Sequence, residues 1–141
     1  MPQRCLFCRL ADQEGAANRV YEDEHVVAFP ALHPLNPGHL VLIPRAHIRN
    51  AYALNKDLAG HMIAVGARLA ALVAREFGYP GTSLAINNEA PGQRIFHAHL
   101  HIIPRRPGDR LDLSSPPEAD RNELAEVARR LRQALAAERA G

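Results

Sequence analysis

The chain has no tryptophan, only two cysteines, and a single lysine, Lys56, among its 17 basic residues. Aromatic residues make up 5% of its 141 positions, too few for the stacking platforms on which single-stranded nucleic acids lie. The net charge of +2 is spread along the chain rather than gathered into a basic stripe, which argues against a nucleic-acid partner. No run of about 18 apolar residues occurs, so no membrane span is expected. The opening segment, MPQRCLFCRL, lacks a long apolar core and a small-residue cleavage site. No secretory signal is read there, and a cytoplasmic location is expected. In that compartment a C-x-x-C pair, Cys5 and Cys8, points to metal binding or redox chemistry rather than to a structural disulfide. No thioredoxin-like βαβ pattern surrounds the pair, which lowers the redox reading.

What is present suits one domain, residues 1–141, with 47% apolar residues to build a core. Segments 20–30 and 39–44 read as an antiparallel strand pair, the second ended by Pro44. Asp57 is placed to cap a helix running to about Phe77. Leu58, Met62, Val65, Leu69, Leu72 and Val73 share one face of it, and Gly78 marks its stop. Two further strands are expected at 82–88 and 95–103, followed by a polar, Pro/Gly-rich extended loop at 104–118. Asp120 and Glu123 have capping-box spacing and open a last helix to about Glu138, with Leu124, Val127, Leu131 and Leu135 as its buried stripe. The fold class is α+β.

The segment IFHAHLHIIPR sets His97, His99 and His101 at every second position. On a strand these share one face, while Phe96, Ala98, Leu100 and Ile102 face a core. Adjacent rings then start roughly 6.6 Å apart, too far for one ion with bonds of ~2.0–2.1 Å to take all three from a straight strand. The rings must divide their duties. A neutral imidazole near pH 7 is a good nucleophile toward phosphorus, and it splits one displacement into two easier steps. Neighbouring rings can donate hydrogen bonds to the phosphate oxygens where negative charge is held.

HAHLHII fills every position of the pattern His-φ-His-φ-His-φ-φ, with φ apolar, and so resembles the histidine triad (HIT) family. GQRIFHAHLHIIPR is similar to that family's turn and triad strand, and YEDEHVVAFPALHPLNPGHLVLIPRAH to its first hairpin. The similarity covers roughly residues 5 to 105. It implies a five-stranded antiparallel sheet with one long inserted helix and a C-terminal helix, and a homodimer whose sheets join. His99 would be the nucleophile, forming a nucleotidyl-histidine at the α-phosphate. His101 would contact the phosphate, as would Gln93, and Asn87 would lie beside it. Phe7, Leu10, Phe29 and Leu32 would form an apolar wall for the base. The implied substrates are purine nucleotides or their conjugates, nucleoside phosphoramidates or dinucleoside polyphosphates, cleaved by a hydrolase or nucleotidyl transferase that releases a nucleoside monophosphate. A nucleotide-binding regulatory module with little turnover is the alternative, and a nucleic-acid-binding zinc protein ranks last.

A closed zinc site needs two ligands beyond Cys5 and Cys8, and His47 and His97 are the candidates. Bacterial-type HIT proteins with this C-x-x-C look similar here. The resemblance implies a structural Zn²⁺ on Cys5, Cys8, His47 and His97 that pins the N-terminus to the sheet. Two positions depart from the family pattern. Ala31 stands where many relatives carry a ribose-binding acid, and His33 is placed to offer a substitute contact. Arg94 stands where relatives often carry Ser or Thr, either adding phosphate affinity or facing solvent.

Overall fold

The computed structural model describes residues 5–114 and 116–140. Strands β1 (Tyr21–Glu22), β2 (Val26–Pro30), β3 (Leu40–Pro44), β4 (Gly81–Ala85) and β5 (Leu100–Arg105) form one sheet in the order β1-β2-β3-β5-β4. Every neighbouring pair is antiparallel. Helices α1 (Leu6–Ala11), α2 (Lys56–Phe77) and α3 (Arg121–Ala140) complete the α+β architecture expected from the sequence, with short 3-10 turns at Gln13–Asn18 and Ala51–Ala53.

β2 and β3 are apolar and buried at every position, so both faces of the sheet must be covered. On one face Val26, Ala28, Leu40, Leu42, Leu100 and Ile102 pack with Met62, Leu69, Leu72 and Val73 of α2. α3 adds Ala128, Leu131 and Leu135 to that core. On the other face Val27, Phe29, Ala31, Val41 and Ile43 pack with Phe7 and Ala11 of α1. The short N-terminal helix therefore lies over the face from which the odd-numbered triad histidines emerge.

The N-cap of α2 lies two residues before the expected one. Asn55, not Asp57, accepts the Leu58 N–H at 2.8 Å, and Asp57 falls in the first turn, where its charge suits the helix dipole. Gly78 closes the helix in the left-handed region, φ 74°. By length and composition α2 could cross a bilayer, but its apolar stripe is buried against the sheet. Two of its glycines behave oppositely. A Cβ on Gly60 meets nothing, whereas a Cβ on Gly66 would stand 2.5 Å from Cδ2 of the buried Leu100. Gly60→Ala is therefore expected to stabilise by ~0.5–1 kcal/mol through helix propensity. Gly66→Ala should destabilise by ~1–3 kcal/mol through overpacking under the triad segment. Chemical denaturation of the two variants would show shifts of opposite sign; the same sign for both would contradict this packing.

The triad strand is shorter than the sequence suggests. β5 begins at Leu100, paired with Leu42, not at residue 95. The next acceptor along β3, the Pro44 carbonyl, is taken by the His97 ring, and Pro44 has no N–H to offer. Ala98 bonds instead to the Ile48 carbonyl at 2.6 Å. Phe96, expected in the core, is 37% exposed beneath the Arg49 guanidinium, 4.3 Å from its ring centroid.

Candidate active site and metal centre

Cys5, Cys8, His47 and His97 converge, with one donor atom of each lying within 4.8 Å of the others. The Cys5 sulfur is 3.5 Å from His47 Nδ1 and 3.4 Å from His97 Nδ1. The Cys8 sulfur is 3.2 and 3.5 Å from the same two atoms. Tetrahedral zinc, with bonds of ~2.3 Å to sulfur and ~2.05 Å to nitrogen, spaces such ligands ~3.6 Å apart. The donor set and its edges fit that ion. His97 is oriented for it, because its Nε2–H donates to the Pro44 carbonyl at 2.8 Å and leaves the Nδ1 lone pair toward the sulfurs. Burial of the ring lowers its pKa and favours the neutral form a ligand needs.

His99 and His101 turn to a different task. His99 is buried against the edge of Phe7, ring centroids 4.9 Å apart, and donates Nδ1–H to the His97 carbonyl at 2.8 Å. Its Nε2 therefore carries the lone pair. His101 has the opposite tautomer. The Leu35 N–H donates to His39 Nδ1 at 2.9 Å, so the His39 proton sits on Nε2 and is given to His101 Nδ1 at 3.1 Å. The remaining proton of His101 is then on Nε2. His99 and His101 stand with ring centroids 5.0 Å apart.

Burial, then the neighbouring His101 ring, pushes the pKa of His39 down to about 3; burial, then the neighbouring His99 ring, pushes that of His101 down to about 4. Both rings are neutral in the folded chain near pH 7. In the unfolded chain they protonate below a pKa of ~6.5. Their contribution to stability is therefore complete above pH ~6.5 and is lost as the pH falls through that value toward the folded pKa values. Each ring steepens the loss by about 1.4 kcal/mol per pH unit. Denaturation midpoints on both sides of pH ~6.5, with ring resonances followed by NMR, check this; rings that titrate at 6.5 in the folded protein would contradict it.

Both rings line a cavity of about 670 Å³. Small-molecule sites typically measure ~300–1,000 Å³. Phe7, Leu10, Phe29 and Leu32 line it on an apolar side, and Asn87 and Arg94 lie on its lining with the rings. Ala31 and His33 also line it. Gln93 does not. It is buried at 3% exposure, with its amide donating to the carbonyls of Arg49 and Ile95 at 2.6 and 3.1 Å and accepting from the Glu89 N–H at 2.7 Å. Both amide protons are committed to backbone, and Gln93 shapes the turn that carries the triad.

The loop at 104–118 contributes a wall that the sequence left open; its Ser115 lies outside the described residues. The described residues on either side of it form a strap beside the chain's own cavity. Ala119 N–H donates to the Leu32 carbonyl at 2.9 Å, His33 Nδ1 stands 3.2 Å from the Pro116 carbonyl, and Arg94 donates to the Ser114 carbonyl. Leu113, Ser114 and Pro116 line the cavity, as do Glu14 and Asn18 from the first 3-10 turn. Sequence reasoning missed these as site residues. His39 also lines the cavity; its place one residue before β3, which pairs with β5, was the available signal.

The chain is 38% identical over 104 residues to Protein hit of Bacillus subtilis, covering 73% of this chain and 72% of that one. It is 31% identical over 106 residues to adenylylsulfatase HINT3 of Arabidopsis thaliana, covering 74% of this chain and 54% of that one. A zinc-bound histidine triad family protein from Mycobacterium smegmatis, solved by crystallography, is 35% identical, covers 96% of both chains and superposes with a TM-score of 0.81. The HIT domain profile matches residues 12–108, more than half of the sequence, and on that match the protein belongs to the HIT family.

Proposed function

We propose that the protein hydrolyses or transfers nucleotidyl groups from nucleotide conjugates through a covalent intermediate on His99. The observation that carries this reading is the pair of opposite tautomers, His99 and His101, on one cavity. The His99 Nε2 lone pair attacks the α-phosphorus. A nitrogen–phosphorus bond forms, and the bond to the leaving group breaks with its electron pair departing on that group. The His97 carbonyl, already accepting Nδ1–H, stabilises the positive charge that develops on the ring. The His101 Nε2–H donates a hydrogen bond to a phosphate or bridging oxygen. Water then attacks phosphorus and loses a proton to solvent, the electron pair of the N–P bond returns to Nε2, and a nucleoside monophosphate leaves.

His101 serves as a hydrogen-bond donor and not as a proton source. Its other nitrogen accepts from His39, so full loss of the Nε2 proton would leave an imidazolate. Leaving groups that depart as anions, such as polyphosphate or sulfate, need no proton; an amine does. Arg94 supports the same preference. Among the described residues its hydrogen-bond partner is a neutral carbonyl, so its charge is available to an anion in the cavity. A relative named adenylylsulfatase accords with such a leaving group. The nucleotide is read as a purine, its base against Phe7, Leu10, Phe29 and Leu32.

Zinc on Cys5, Cys8, His47 and His97 would supply a cross-link with no open coordination position, and no step runs through it. The working unit is read as a homodimer joined along β4, an edge strand with exposed Leu84, and sedimentation would reveal it.

Alkaline quench of a single turnover with a conjugate labelled at the α-phosphate should place label on the peptide bearing His99. Turnover without that label rejects the covalent reading. With one nucleotide held constant, kcat/KM for a dinucleoside polyphosphate should exceed that for the phosphoramidate by about tenfold or more, the equivalent of one ~1.4 kcal/mol interaction. Equal or reversed values reject the leaving-group assignment.

A further inference from the structure

α1 has six residues. A helix of that length does not hold itself in water. Its first turn is set by the cysteines, with Cys5 at the N-cap and its sulfur accepting the Cys8 N–H at 3.2 Å. Between them stands Phe7, 6% exposed. Its ring meets His97 edge-on at 6.0 Å and His99 edge-on at 4.9 Å, and stacks tilted on Phe29 at 5.7 Å. Leu6, Phe7 and Leu10 of the same helix line the cavity. One helical turn is thus both metal cradle and cavity wall, and one ring touches a metal-cluster imidazole and the nucleophile together.

We propose that Phe7 is a positioning residue that couples the Cys5/Cys8/His47/His97 cluster to nucleotide binding, so that metal and nucleotide each tighten the other. The proposal rests on the nucleotide reading above. With the cluster closed, α1 is anchored and Phe7 holds both the cavity wall and the His99 ring in place before a ligand arrives. With it open, the ligand must order that wall itself, which weakens binding. Linkage requires the converse with the same factor: a nucleotide seated against Phe7 holds α1 down and slows release of the metal.

The test uses the zinc-loaded full chain and AMP as probe. Calorimetry first measures AMP binding; competition with a chromophoric chelator then gives zinc affinity with and without saturating AMP. Saturating AMP is expected to raise zinc affinity by about tenfold or more, within the usual range of couplings between sites. In Phe7→Ala both ligands should still bind, but that ratio should fall to within about twofold of one, and Phe7→Leu should recover part of it. If Phe7→Ala does not retain zinc, Phe7→Leu carries the comparison, with a ratio reduced below that of the native chain expected. A ratio of one in the native chain, or an undiminished ratio in the Phe7 variants, overturns the coupling. Failure of the zinc-loaded native chain to bind AMP at all overturns the nucleotide reading, and the coupling with it.

Discussion

His99→Ala should lower turnover by on the order of 10⁴-fold or more and leave the fold and the metal content unchanged. The change removes the buried imidazole lone pair on which the covalent reading rests. His101 cannot substitute, because its Nδ1 accepts from His39 and its Nε2 carries the proton. What remains is binding in the cavity and hydrogen bonding from His101, which alone gives modest acceleration. The fold should survive for local reasons. Ala98 stays tied to the Ile48 carbonyl at 2.6 Å, and Leu100 stays paired with Leu42. The ring loses one hydrogen bond and its edge contact with Phe7, a cost of ~1–3 kcal/mol. His101→Ala deletes a donor but keeps the nucleophile, so a smaller loss of ~10²–10³-fold is expected. Single-turnover rates, circular dichroism and metal analysis on the two variants decide the matter. Substantial activity in His99→Ala, or equal losses in both, would remove His99 from the nucleophile role.

The second large effect concerns the metal. Replacing both Cys5 and Cys8 with Ser, or stripping zinc with a chelator, should cost several kcal/mol, ~3 or more, since binding energy of a structural ion is folding energy. For a domain of this size that corresponds to a fall in Tm of roughly 10 °C. Without the ion, α1 keeps the burial of Phe7 and Ala11 against the sheet and the hydrogen bonds from Arg19 and Arg45 to the Leu10 and Ala11 carbonyls. The loss should shrink as pH falls, because the thiols and imidazoles must be unprotonated to bind and zinc then contributes less. Differential scanning calorimetry with and without chelator measures the effect. An unchanged Tm in a chain shown to have lost its zinc would mean that the cluster does not hold the N-terminus.

The site was more legible than its frame. Alternation of His with apolar residues put His97, His99 and His101 on one side, and the C-x-x-C with a distant histidine pointed to the cluster. Both patterns survive folding because they depend on local spacing. The α2 stripe and its Gly78 stop were readable for the same reason. What escaped depended on contacts made at long range. The strand ladder ends at Leu100 because Pro44, on another strand, has no N–H and its carbonyl is taken by a ring. Gln93 sits in the expected turn, but a carbonyl at Arg49 claims its amide, and no local pattern announces that partner. The strap has no periodicity; its position is set by Leu32, His33 and Arg94, which lie far from it in sequence.

The chain of donors from Leu35 through His39 to His101 begins at a peptide amide, which can give a proton bond and never receive one. Its direction is thus inherited from the main chain, and no side-chain titration at its origin can reverse it. Any replacement at position 39 that keeps this one-way traffic must accept on one end and give on the other. Glutamine has that bifunctional character; leucine does not.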